Sequence, residues 1–215
     1  MRILIADDHG IVRQGLTSLM ERQPNIEVVG EAKDGQEALD LVKELSPDVV
    51  IMDVAMPNLN GADATRLILR DNPDIRVIAL SMHAEKHIVR DILQAGAMAY
   101  VLKSYLFDEL SKALEAAAAG ERYLSPRIAG VVVDDYVSRG QSEQEGQRIE
   151  LTLRERQVLQ LTAEGKTVKQ IARQLHVSPK TADGARRRLM NKLGISSIAE
   201  LTKYAIREGI TSAHF

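Results

Sequence analysis

The chain has 215 residues, 45% of them hydrophobic and 27% charged, a balance ordinary for a globular protein, and no cysteine, which excludes disulfides and thiol catalysis. The net charge of −2 hides a split: residues 1–149 hold 16 Lys and Arg against 24 Asp and Glu, net −8, whereas 150–215 hold 12 against 6, net +6. An acidic first part and a basic second part predict separate partners, with anions a candidate for the second.

At the N-terminus, "MRILIADDHG" has a short apolar run and no small-residue cleavage site, so no signal peptide is expected. No apolar run approaches the roughly 20 residues of a membrane span, and a cytoplasmic chain with no membrane partner is expected. Short apolar runs follow at 3–6, 27–31, 49–52, 77–80 and 99–102. Between them, Val12/Leu16/Leu19/Met20, Ala38/Leu41/Val42/Leu45 and Ile88/Ile92 line single helical faces, and Phe107/Leu110/Leu114/Ala117 line a last one. Five strands alternating with five helices predict an α/β fold over 1–120, a doubly wound five-stranded parallel sheet covered on both faces. Ser125-Pro126 reads as an N-cap with Pro at N1, opening a connecting helix over 126–138. "SRGQSEQEGQR", 138–148, has no apolar residue and reads as a linker, so 121–148 is assigned to the connection. Residues 149–215 read as a second, all-α domain of four helices. Thr152-x-x-Glu155 and Ser197-x-x-Glu200 are capping-box patterns, and Ser178-Pro179 opens the third helix.

The polar residues at the strand ends carry the chemistry. "VVIMDVAMPNLNG" runs from four apolar residues straight into Asp53. A carboxylate at the end of a buried strand is costly unless something compensates it. Asp7 and Asp8 follow the first strand, Ser81 ends the fourth and Lys103 the fifth. The carboxyl ends of parallel strands form one rim, where ligands bind near the topological switch point. Crowded carboxylates repel and call for a cation, and an all-oxygen set suits Mg²⁺ or Mn²⁺ rather than zinc. Asp53 is then placed to attack phosphorus and form an aspartyl-phosphate. A single Asp after a strand is usually a turn residue or a cap; five such residues at matching strand ends are not.

On these residues, the Asp-Asp pair, the central Asp, Met-Pro and Gly after it, the Ser and the Lys, the first 120 residues resemble the flavodoxin-like receiver domain of two-component response regulators. The resemblance implies Asp53 as phosphoacceptor, with Mg²⁺ on Asp8, Asp53 and the Ala55 carbonyl and with Asp7 acting through metal-bound water. It implies Ser81 and Lys103 on the phosphoryl oxygens and Tyr100 as an aromatic switch. A sensor histidine kinase would be the phosphodonor. An aspartyl-phosphate phosphatase usually places a second Asp two residues after its nucleophile; here that position is Ala55. His83 lies near the same entrance, as a tuner of dephosphorylation or an exposed loop residue.

In the second domain, "HVSP" is a tight turn between two helices, a helix-turn-helix candidate. The following helix carries Lys180, Arg186, Arg187, Arg188 and Lys192, which favours phosphate contacts. With Ala182, Leu189 and Leu193 inward, Lys180, Asp183, Gly184 and Arg187 face outward. "EGKT", 164–167, is no phosphate loop, because the required earlier Gly is Gln160. About 60 residues resemble the output domain of NarL/LuxR-type regulators, which implies a dimer on activation that binds promoter DNA and regulates transcription. The resemblance adds Thr181 to the candidate DNA contacts and aligns Asp183, Gly184 and Arg187 with base contacts. "TADGARRR" departs from the family pattern: Gly inside a helix costs on the order of 1 kcal/mol, and Asp opposes phosphate, although it can accept from cytosine N4. A protein-binding adaptor is the alternative that this departure raises.

Overall fold

The computed structural model describes residues 1–139 and 149–212. The chain forms two compact units that divide between residues 143 and 144, and each is described by itself.

The first unit is a parallel sheet with helices on both faces. Its strands are β1 (Arg2–Ala6), β2 (Glu27–Ala32), β3 (Val49–Asp53), β4 (Arg76–Ser81), β5 (Ala99–Leu102) and β6 (Tyr123–Leu124). The helices are α1 (Gly10–Met20), α2 (Gly35–Leu45), α3 (Gly61–Asp71), α4 (Lys86–Gln94), α5 (Leu106–Ala119) and α6 (Pro126–Arg139). The strand order is β2-β1-β3-β4-β5-β6, so the chain reverses direction across the sheet between β1 and β3. Alternate strand residues feed two cores. Leu4, Val50, Met52, Val77, Ala79 and Tyr100 pack with α2, α3, α4 and Ile128 of α6. Ile3, Ile5, Val49, Ile51, Ile78, Leu80 and Val101 pack with α1 and α5. Burial on both faces explains the near-continuous apolar runs of the strands.

The sheet has six strands where five were expected. Tyr123 and Leu124 pair with Ala99 and Tyr100 of β5, a strand too short to show a period-two pattern. The connecting helix is present as α6, and it packs on α4, β5 and β6. It extends one residue past the expected 126–138, through Arg139; 140–148 lie outside the described residues. The buried Ser125 hydroxyl accepts from the Leu102 amide at 3.2 Å and donates to Glu109, which ties the ends of β5, α5 and β6 together.

The second unit is all-α: α7 (Leu153–Ala163), α8 (Val168–Gln174), α9 (Pro179–Leu193) and α10 (Ile198–Arg207). Thr152 and Glu155 form a full capping box, as do Thr167 and Gln170. Ser178 caps α9 ahead of Pro179. Ser197 caps α10, but Glu200 reaches back to the Ser196 amide, so the reciprocal half of the expected box is shifted by one residue. Val158, Leu159, Leu189, Leu201, Ala205 and Ile210 form one core cluster, and Leu161, Ile171, Ala172 and Ala182 another. No helix among the described residues is long and apolar enough to cross a membrane.

Candidate functional site

The carboxyl rim of the sheet gathers the predicted side chains. Asp53, the last residue of β3, is only 3% exposed, and Asp7, just past β1, is wholly buried. Lys103, just past β5, places Nζ 2.7 Å from Asp7 Oδ2 and 2.7 Å from Asp53 Oδ2. Burial raises the Asp53 carboxyl to about 7, with Asp7 and Asp8 adding to the rise and Lys103 opposing it. Burial works against the Lys103 ammonium, but Asp53 and Asp7 outweigh it and hold its pKa above the ordinary value.

Asp7, Asp8, His9 and Asp53 offer ligand atoms that all lie within 4.8 Å of one another. The three carboxylates fit a hard divalent cation such as Mg²⁺ by donor type and by excess negative charge, which Lys103 only partly offsets. His9 was not singled out from the sequence. Its Nδ1 lies 2.7 Å from Asp8 Oδ1 and 3.3 Å from Asp7 Oδ1, and its amide donates to Asp7 Oδ1 at 2.9 Å. The adjacency "DDH" is the only signal that could have pointed to it.

The loop after Asp53 is held by backbone contact. The Ala55 amide reaches Asp53 Oδ1 at 3.4 Å, and the Gly61 amide donates to the Val54 carbonyl at 2.9 Å. A Cβ at Gly61 would lie 2.0 Å from the Asp53 carbonyl oxygen, so only glycine permits this approach. Asn60 is the N-cap of α3; its side chain accepts from the Asp63 amide.

Ser81 is buried at the end of β4, and its Oγ accepts from the His83 amide at 3.0 Å. Tyr100 is buried in β5, and its hydroxyl donates to the His83 carbonyl. The His83 side chain turns to Glu85, 3.3 Å away, and the exposed Met82 lies between His83 and Ser81.

On α9, Ala182 and Leu189 are buried, while Lys180, Thr181, Arg187, Arg188 and Lys192 are exposed and Asp183, Gly184 and Arg186 are intermediate. Asp183 is bracketed by two arginines, with Arg186 Nη2 at 2.8 Å and Arg187 Nη2 at 2.9 Å. Lys192 Nζ lies 2.8 Å from Glu155, the acid of the α7 capping box. The Thr181 hydroxyl contacts the capping Ser178 hydroxyl at 2.8 Å.

Residues 3–115 match the response regulator receiver domain family, and 150–205 match the luxR family of bacterial regulatory proteins. The transcriptional regulatory protein LiaR of Bacillus subtilis is 37% identical over 212 residues, which covers 99% of this chain and 100% of that protein. The response regulator GacA of Pseudomonas protegens is 38% identical, covering 99% of each chain. Among solved structures, RcsB of Salmonella enterica serovar Typhimurium, bound to promoter rprA in the presence of a phosphomimetic, has a TM-score of 0.62 at 29% identity and covers 95% of this chain and 97% of that one.

Proposed function

The chain belongs to the two-component response regulators that carry a LuxR-family helix-turn-helix, and from that premise we propose that Asp53 is the phosphoacceptor controlling its binding to DNA. It is a regulator and not a catalytic enzyme. The observation that carries the assignment is a buried carboxylate, Asp53, lying 2.7 Å from the Lys103 ammonium inside a cluster of acidic residues.

An Asp53 carboxylate oxygen attacks phosphorus, and the bond from phosphorus to the donor breaks. With a sensor histidine kinase as donor, the P–N bond opens and its electron pair returns to the imidazole. Lys103 and Ser81 then hold the phosphoryl oxygens. Asp8, Asp53 and the Ala55 carbonyl would hold Mg²⁺ or Mn²⁺, with Asp7 acting through metal-bound water, and the metal's charge would offset that of the transferring group. His83 links Ser81 to Tyr100 through its backbone, which is the path by which a shift of the serine reaches the aromatic switch.

The output is promoter DNA bound by a homodimer formed on activation, with α9 as the recognition helix and Lys180, Thr181, Gly184, Arg186, Arg187, Arg188 and Lys192 as its contacts. The promoter complex of RcsB supports this reading. The kinase and the DNA put the site of action in the cytoplasm. Mass spectrometry after incubation with acetyl phosphate and Mg²⁺ tests the first step. One phosphoryl group on Asp53, absent from Asp53→Asn, is the expected result; an acyl-phosphate on any other residue overturns it.

A further inference from the structure

One carboxylate orders the charged arms of α9. Asp183 Oδ1 lies 2.8 Å from Arg186 Nη2, and Asp183 Oδ2 lies 2.9 Å from Arg187 Nη2. The spacings of three and four residues put all three side chains on one helical face. The arginines differ in what they leave free: the Arg186 side chain is 28% exposed and the Arg187 side chain 77%. Arg186 is thus a partly covered counter-charge, whereas Arg187 extends into solvent from a fixed point.

A solitary carboxylate on a DNA-reading helix would be repelled by the phosphates. Here each oxygen already faces a guanidinium. Arginine carries five N–H donors in a rigid fork, so one contact with Asp183 leaves donors for a second, bidentate partner. An unrestrained arginine would spread over many rotamers and would have to be ordered on binding. Beside this cluster, Gly184 adds no side chain. The space its Cβ would take lies 3.4 Å from Arg188 Nη1, so the Arg188 guanidinium lies against this flank of the helix.

We infer that Asp183 is a positioning residue for base recognition: it aims Arg187 at the O6 and N7 of a guanine and touches no base itself. Each Asp183 oxygen keeps a second lone pair, so acceptance from cytosine N4, the role its residue type first suggests, is the competing outcome that the test separates. The inference rests on the DNA-binding reading and deepens it.

Removing Asp183 takes away both an orienting anion and a negative charge, so its two consequences diverge. Base preference falls, while binding to unrelated DNA holds or strengthens. A merely structural role would weaken both together.

The test uses the full chain, with and without acetyl phosphate and Mg²⁺, in selection from a random DNA library. Titrations on the selected site, on versions with each G·C pair replaced and on a scrambled site follow. The wild type is expected to enrich a guanine whose replacement costs about ten-fold in affinity. The same replacement should cost Asp183→Ala and Arg187→Ala less than about two-fold, and Asp183→Glu should recover part of the preference. Asp183→Ala should bind the scrambled site at least as well as the wild type does. Full guanine preference in Asp183→Ala overturns the inference, as does a cytosine preference that survives in Arg187→Ala, or equal weakening of Asp183→Ala on both sites. Failure of the wild type to select any sequence in either state sinks the DNA-binding reading itself, and this inference with it.

Discussion

Tyr100 donates its hydroxyl to the His83 carbonyl at 2.7 Å, while the amide of that same His83 donates to Ser81 Oγ at 3.0 Å. Burial raises the pKa of the phenol above its ordinary value, over the opposing contact with Ser81, and so keeps it a neutral donor. Tyr100→Phe deletes one link of this chain and keeps the ring. It is expected to cost about 0.5–1.5 kcal/mol of stability, to leave Asp53 labelling intact and to reduce the gain in DNA binding on phosphorylation. A full gain in the variant, measured by titration of labelled and unlabelled chain, would remove Tyr100 from the signalling path.

The raised Asp53 pKa has a stability consequence of definite sign. Unfolded, the group titrates near 3.9; folded, it titrates at about 7. Between those values the folded chain binds more protons, so stability falls as pH rises through the window and the loss is complete above it. Asp53→Asn cannot ionise. Measured by urea unfolding with a chelator present, it should exceed the wild type by on the order of 1–2 kcal/mol near pH 8 and match it near pH 4, with Lys103's loss of a partner offsetting part of the gain. Equal stability near pH 8 would contradict the burial argument.

Gly61→Ala forces a methyl group to within 2.0 Å of the Asp53 carbonyl oxygen. Main chain on both sides leaves no flexible side chain to yield. A loss of about 3 kcal/mol or more is expected, or displacement of Asp53 with loss of acetyl phosphate labelling. A variant with normal urea midpoint and normal labelling would show that the approach is not tight.

Arg90 on α4 meets Asp135 on α6 at 2.5 Å, with both side chains mostly covered. Asp135→Asn should cost about 1.5–3 kcal/mol, the range for a hydrogen bond to a charged group. The variant should also expose α6 to faster hydrogen exchange; unchanged exchange there would mean that apolar contacts such as Ile128 alone hold the helix.

Lys192→Ala should weaken selected and scrambled DNA alike and lower the salt slope by about one. Because Lys192 also pairs with Glu155, a small loss of stability accompanies it. An unchanged salt slope would mean that the pair with Glu155 persists in the complex and that no phosphate is met.

The rim constellation was legible because a parallel sheet turns four separate strand ends into one place; the residues at or just past those ends suffice. The helix after Asp53 was harder. Asp63 and Thr65 are buried inside α3, which breaks its apolar period, and the cap Asn60 reads equally well as a turn. The two residues of β6 carry no period at all. On α9 the outward face was readable from Ala182 and Leu189, but the capture of Asp183 by Arg186 and Arg187 depends on rotamers that spacing alone does not specify.

Lys103 divides its ammonium between Asp7 and Asp53 at equal distances. It is therefore a resident understudy for a divalent ion. A structural zinc site collapses when stripped, because ligand binding and folding are one event. Here the carboxylates keep a covalently attached cation whatever the ionic composition around them. The receiver unit thus carries part of its counter-charge within its own chain, and a chelator should silence its chemistry without unfolding it.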